Sequence, residues 1–185
     1  MKIVVTPMCE KIVLWAGICN YTVNKYPDTV EDADIAIVLS KRKTEMNSIN
    51  IELNTFQEIK DGIKIVSREL SDGSVSDERI NKIFKYYVEA NDIINNLEDI
   101  RLKNSEINVK VYSVFLNDVV KDLGFNVLDD EEDCDYIIYP DFMEDKVKSE
   151  NYDCELIMVP SHSNVSNDPI KRAIFRYSTI LNSVK

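Results

Sequence analysis

The sequence predicts an α/β fold in three layers: a mainly parallel β-sheet with helices on both faces, formed by a single domain over residues 1–185. Three observations predict it. Strand-like and helix-like segments alternate along the chain. Several of the strand segments, such as ADIAIVLS (33–40) and ELIMVP (155–160), are unbroken apolar runs, the pattern of strands covered on both faces. An apolar content of 44 % over 185 residues supplies a sizeable core.

Each element follows from its local pattern. KIVV (2–5) is short, apolar and β-branched, and predicts a buried strand. From Pro7 to about Asn24 the chain reads as one helix, apolar nearly all round through Ile12, Val13, Leu14, Trp15 and Ile18, and so largely buried. Residues 33–40 form the next buried strand. SINIEL (48–53) alternates Ile49, Ile51 and Leu53, as a half-buried strand does. FQEIKD reads as a short helix or turn closed by Gly62, and IKIVS (63–67) as a candidate strand. Ser76 caps a long helix to about Lys103, with Asp77 and Glu78 in its first turn, where negative charge is favoured. VKVYS (109–113) is a strand, VFLNDVVKDL a helix ended by Gly124, and FNVL (125–128) and DYIIYP (135–140) are strands. Residues 155–160 form the last strand. Asp168-Pro169 starts a final helix with the stripe Ile170, Ala173, Ile174, Tyr177 and Leu181. No internal repeat and no linker interrupt the series.

Composition narrows the function. A net charge of −11 argues against nucleic acid as a partner, because phosphate backbones need a basic surface. No apolar run is long enough to cross a membrane, and Pro7, Glu10 and Lys11 break the N-terminus too early for a signal peptide, so a cytoplasmic protein is expected. Cys9, Cys19, Cys134 and Cys154 form no C-x-x-C pair and there is a single histidine, so neither a zinc site nor a disulfide framework is read. For Cys19 and Cys154 a packing role in the core is expected. The acidic run DDEEDCD (129–135) reads as a solvated loop, with a magnesium site as the lesser alternative.

Ligands of an open parallel sheet bind beyond the carboxyl ends of its strands. Four strand ends carry suggestive residues: Thr6-Pro7-Met8-Cys9, Ser40-Lys41-Arg42-Lys43-Thr44, Tyr139-Pro140-Asp141 and Pro160-Ser161-His162-Ser163-Asn164. Parallel strands would open all four loops on one edge. Thr6 is a favoured N-cap and Pro7 a favoured first helical residue, which would place Cys9 third in the helix. There, free N–H groups and the helix dipole would stabilise its thiolate and lower its pKa below ~8.5. The same position suits a small buried apolar residue, and both readings stand. The phosphatase pattern C-x5-R is excluded, because Trp15 occupies the arginine position. A cysteine hydrolase would need His162 beside Cys9. Lys41, Arg42 and Lys43 stand out in an acidic chain and read as a phosphate or carboxylate contact or as an exposed basic loop. No glycine-rich phosphate loop occurs. Thr6, Met8, Ser40, Lys41, Arg42, Ser161, His162, Ser163 and Asn164 are the expected binding residues, with no metal ligands.

The stretch KIVVTPMCEKIVLWAGICNY, with its cysteine at position 9 after the first strand, resembles the HcgF family of methanogenic archaea, as do the chain length and the richness in Ile, Asn and Lys. That family acts in making the iron-guanylylpyridinol cofactor of [Fe]-hydrogenase. The resemblance implies that guanylylpyridinol is the ligand, with no tightly bound cofactor besides. It implies that Cys9 joins the ligand's carboxylate as a thioester, activating it toward the acyl ligand of iron. A carboxylate is a poor electrophile, so an adenylating partner protein is implied too. A homodimer is compatible with this reading. Two alternatives stand beside it: a non-covalent nucleotide- or metabolite-binding module with Cys9 in the packing, and a thiol hydrolase using Cys9 and His162.

Overall fold

The computed structural model describes every residue except 41, 72, 130–133, 151, 162–164 and 185. The chain is α/β with parallel strands, as expected. The strands divide between two four-stranded sheets, one in each of two compact units. The first unit holds Met1–Ala90 and Asn167–Lys171, and the second Asn91–Ser166 and Arg172–Lys185.

In the first unit, β1 (Ile3–Val5), β2 (Thr22–Val23), β3 (Ile35–Leu39) and β4 (Ser48–Ile51) lie in the order β2-β1-β3-β4, all parallel. Val4, Val5, Ala36, Ile37 and Val38 are fully buried, which is what their unbroken apolar runs require. Around them run α1 (Glu10–Trp15), α2 (Phe56–Leu70), α3 (Asp77–Phe84) and the start of α4 (Val88–Asn95). In the second unit come α5 (Leu97–Asn104), β5 (Asn108–Val111), α6 (Val114–Asp122), β6 (Asn126–Val127), β7 (Tyr136–Pro140), α7 (Glu144–Ser149), β8 (Glu155–Val159) and most of α8 (Pro169–Ser183). Its sheet has the order β6-β5-β7-β8, again all parallel. The two sheets therefore share one topology, although the sequence shows no repeat. Strands of two to five residues carry too little pattern to reveal it.

Several elements differ from the sequence reading, each for a visible reason. The helix expected from Pro7 to Asn24 is only α1. The Cys9 N–H donates to the Thr6 carbonyl at 2.8 Å, so residues 7–9 form a turn and Cys9 is the N-cap, not the third helical residue. At the other end, Gly17 takes φ +90°, its N–H donates to Leu14 O at 3.0 Å, and the Ile18 N–H donates to Val13 O at 3.1 Å. That pair of bonds is the Schellman stop, and it needs a residue tolerant of positive φ. The freed chain then adds β2 to the sheet, and Cys19 is exposed rather than in the core. The short helix and strand expected over 56–67 are one helix, α2. Thr55 and Glu58 form a reciprocal capping box at its start, and Phe56, Ile59, Ile63 and Val66 fall on its buried face. Gly62 lies inside α2, where an added Cβ would touch Leu53 at 3.4 Å. Ser76 caps α3 as expected, accepting from the Arg79 N–H at 3.3 Å, but the long helix is broken into α3, α4 and α5. The acidic run falls largely on 130–133, outside the described residues.

In the second unit, Ser113 caps α6 by accepting from the Leu116 N–H at 3.3 Å. Gly124, at φ +84°, follows α6, and a Cβ there would stand 2.6 Å from Arg101 Cα. Only glycine permits that approach, which lets Arg101 reach Asp122 at 2.6 Å.

In the first unit, Asp168 is 5 % exposed yet ionised. It accepts from Lys11 Nζ at 2.6 Å, Tyr87 Oη at 2.8 Å and the N–H groups of Ile170 and Lys171 at 3.0 and 3.2 Å. Burial pushes its pKa up, but these donors outweigh burial and hold it below the ordinary carboxylate value. A folded-state value below the unfolded one gives stability that is complete above ~3.9 and is lost as pH falls through the folded value. We expect Asp168→Ala to cost on the order of 2 kcal/mol at neutral pH, from a lost helix cap and a charge-assisted hydrogen bond. Urea denaturation should show this loss, and a flatter acid limb in the variant than in the wild type.

Candidate ligand site at the strand edge of the first unit

Strand order β2-β1-β3-β4 means that the chain leaves β1 to one side and later returns to the other. The switch point lies between β1 and β3, where parallel sheets open a crevice beyond their carboxyl ends. The turns that follow these strands are fixed by backbone bonds. The Thr6 N–H donates to Ile37 O at 3.1 Å, the Asn24 N–H to Val5 O at 3.0 Å, and the Arg42 N–H to Leu39 O at 2.8 Å. They bring Thr6, Pro7, Met8, Lys25, Leu39 and Arg42 around a pocket of about 280 Å³, and Asn167 completes its wall.

The wall exposes mainly apolar surface; Lys25 and Arg42 are its charged residues, and no carboxylate lines it. Lys25 Nζ lies 5.6 Å and Arg42 Cζ 5.9 Å from the centroid of the Tyr26 ring, so one aromatic side chain steadies both cations. Nearby, Asp28 is held below its ordinary carboxylate value, first by the Thr44 hydroxyl and least by the charge of Arg42. Two cations and an asparagine amide suit one anionic group, a phosphate or a carboxylate. The volume lies just below the ~300–1,000 Å³ usual for ligand sites, so the pocket suits an end group rather than a whole nucleotide.

Of the residues expected from sequence, Thr6, Met8 and Arg42 meet here. Cys9 does not line the pocket. It is fully buried behind it, with the Thr6 hydroxyl 3.4 Å from its sulfur and 3.4 Å from Ile37 O. That hydroxyl has one proton and serves one acceptor at a time. Ser40 turns away, donating to Glu52 at 3.0 Å. Ser161 belongs to the second unit, where it donates to Asp141 at 2.6 Å. The four strand ends therefore lie on two sheets, not on one edge of one sheet. Lys41, His162, Ser163 and Asn164 lie outside the described residues. Sequence reading missed Lys25, which follows the helix expected to end at about Asn24, and Asn167, which is drawn in by its neighbour Asp168. The corresponding edge of the second sheet is lined in part by Tyr112, Ser113, Asn117 and Asp129, and Lys110 there already donates to the Asp129 carbonyl.

No family model matches the chain, and no curated protein matches it. Two solved structures share its fold. The SBP FpvC from P. aeruginosa, in complex with Ni2+, is 11 % identical over 100 % of this chain and 98 % of that one, with a TM-score of 0.52. The metal-dependent lipoprotein YcdH from Bacillus subtilis is 10 % identical, with both chains covered in full and a TM-score of 0.51. At these identities the likeness shows the fold alone. Among the described residues, no group of three or more His, Cys, Asp or Glu side chains is placed to hold a metal ion.

The contrast between buried Cys9 and exposed Cys19 is directly testable. Limited iodoacetamide treatment followed by peptide mapping should label Cys19 well before Cys9. Faster labelling of Cys9 would show that the turn after β1 opens readily in solution.

Proposed function

We propose that the chain binds guanylylpyridinol in the service of iron-guanylylpyridinol cofactor synthesis, seating one anionic group of that ligand between Lys25 and Arg42. The observation that carries the binding role is a mainly apolar pocket at the switch point of a parallel sheet, lined by Lys25 and Arg42 and by no carboxylate, in a chain of net charge −11. The choice of ligand is supported by the N-terminal resemblance to the HcgF family. The ligand offers a phosphate and a carboxymethyl group, and either anion matches the pocket. The rest of the ligand, too large for 280 Å³, extends outward from it.

A covalent second step is favoured by one further observation: Thr6 and Met8 line the pocket while Cys9 sits just behind Thr6. A thioester with Cys9 requires a carboxylate activated by an adenylating partner, and a turn at residues 6–9 that uncovers the sulfur. Expulsion of AMP from the acyl adenylate by the thiolate would then leave the acyl group on Cys9.

Calorimetric titration with guanylylpyridinol tests the binding role. The double change Lys25→Ala and Arg42→Ala should weaken affinity about tenfold or more, as loss of charge-assisted contacts does, and should flatten its salt dependence. Unchanged affinity would remove the pocket from the account. Intact-mass measurement with the pathway proteins and ATP separates the covalent step. A hydroxylamine-labile adduct present in the wild type and absent in Cys9→Ser supports the thioester, while binding without an adduct leaves a non-covalent module.

A further inference from the structure

The second unit contains a pair of cysteines that the binding role does not use. β7 and β8 run parallel with Tyr136 opposite Glu155, and the Glu155 N–H donates to Asp135 O at 3.0 Å. Cys134 and Cys154 sit just before this first bonded rung, on adjacent segments, with Cys154 in step with Asp135 and Cys134 one residue earlier. A one-residue offset of ~3.3 Å between segments ~4.8 Å apart puts their Cα atoms about 6 Å from each other, inside the ~4.4–6.8 Å range that a disulfide spans. The two sulfurs are 3.2 Å apart, within a thiol–thiol hydrogen bond. A bond at ~2.05 Å needs about 1 Å of further approach, which side-chain rotation supplies.

The pair is also reachable. Both cysteines are half-buried, packed on one side against Ile137, Tyr139 and Val147. On the other side they line an open cleft of about 520 Å³, together with Glu106, Asp135, Asp153 and Glu155. Four carboxylates around the mouth repel anionic reagents and attract cationic ones.

We propose that Cys134 and Cys154 form a redox modification site, a dithiol that a small cationic disulfide converts reversibly into an intrachain disulfide across the start of β7 and β8. The thiolate of Cys134 attacks the reagent and releases one small thiolate. That thiolate takes the proton of Cys154. Cys154 then attacks the Cys134 sulfur of the mixed disulfide and expels the second small thiolate, which takes up the proton that Cys134 gave up to solvent. The two protein thiols lose two electrons and two protons, and the reagent gains both as two thiols. Attack by Cys154 first would give the same products; burial, and after it the hydrogen bond and charge of Cys134, push its thiol up to about 12.

The test uses the full chain and cystamine, with acid quenching and peptide mapping. The expected product joins the peptides of Cys134 and Cys154, lighter by two hydrogens, and dithiothreitol reverses it. Exposed Cys19 serves as the reference and carries a single cysteamine adduct. In Cys154→Ser the cross-link should vanish and Cys134 should retain cysteamine. A wild-type map in which Cys134 and Cys154 carry separate adducts, or stay open to alkylation after Cys19 has reacted fully, would overturn the proposal. The wild-type map decides the matter even if the serine variant folds poorly. It is also independent of the pocket in the first unit.

Discussion

The carboxylate of Asp168 is the interaction on which the first unit most depends. It joins three parts of the chain that are distant in sequence: Lys11 on α1, Tyr87 at the end of the third-helix region, and the segment 167–171. Each partner has a second anchor. Lys11 lies 5.9 Å from the Trp15 ring, and Trp15 meets Tyr87 edge to face at 6.4 Å between centroids. A buried carboxylate is costly unless it is fully satisfied, and four donors satisfy this one. The consequence for function is positional. By holding Asp168, the network delivers Asn167 to the wall of the pocket beyond β1 and β3.

The pocket then follows from parallel-sheet geometry. Parallel strands place every carboxyl end on one edge, and the strand order separates the turns after β1 and β3. The same topology in the second unit does not give the same chemistry. There, Lys110 is committed to Asp129, and Ser161 to Asp141. One edge therefore keeps cations available to a ligand while the other spends its polar groups internally. Fold and binding capacity separate cleanly in this chain, as they do generally.

Much of the fold was legible in the sequence because the signals were local and strong. Unbroken apolar runs marked β1, β3, β7 and β8, and Ser76 and Asp168 marked helix starts. What escaped was set by weaker or longer-range terms. Gly17 ends α1 through a pair of backbone bonds that residue spacing does not reveal. The Thr55–Glu58 capping box, together with a glycine tolerated at a close helix–strand contact, extends α2 through residues that read as a strand. The site was half legible. Thr6, Met8 and Arg42 lie next to strand ends and were found. Lys25 depends on the unforeseen β2 and Asn167 on the Asp168 network, while the burial of Cys9 matches one of the two readings that the sequence left open.

The central claim is that the cationic edge of the first sheet holds the anionic group of a guanylylated pyridinol. The most direct measurement is a crystal structure of the full chain with guanylylpyridinol. The account predicts a phosphate or carboxylate oxygen within hydrogen-bonding reach, ~2.7–3.2 Å, of both Lys25 and Arg42, with Thr6 and Asn167 against the same group. A ligand bound elsewhere, with Lys25 and Arg42 untouched, would contradict it.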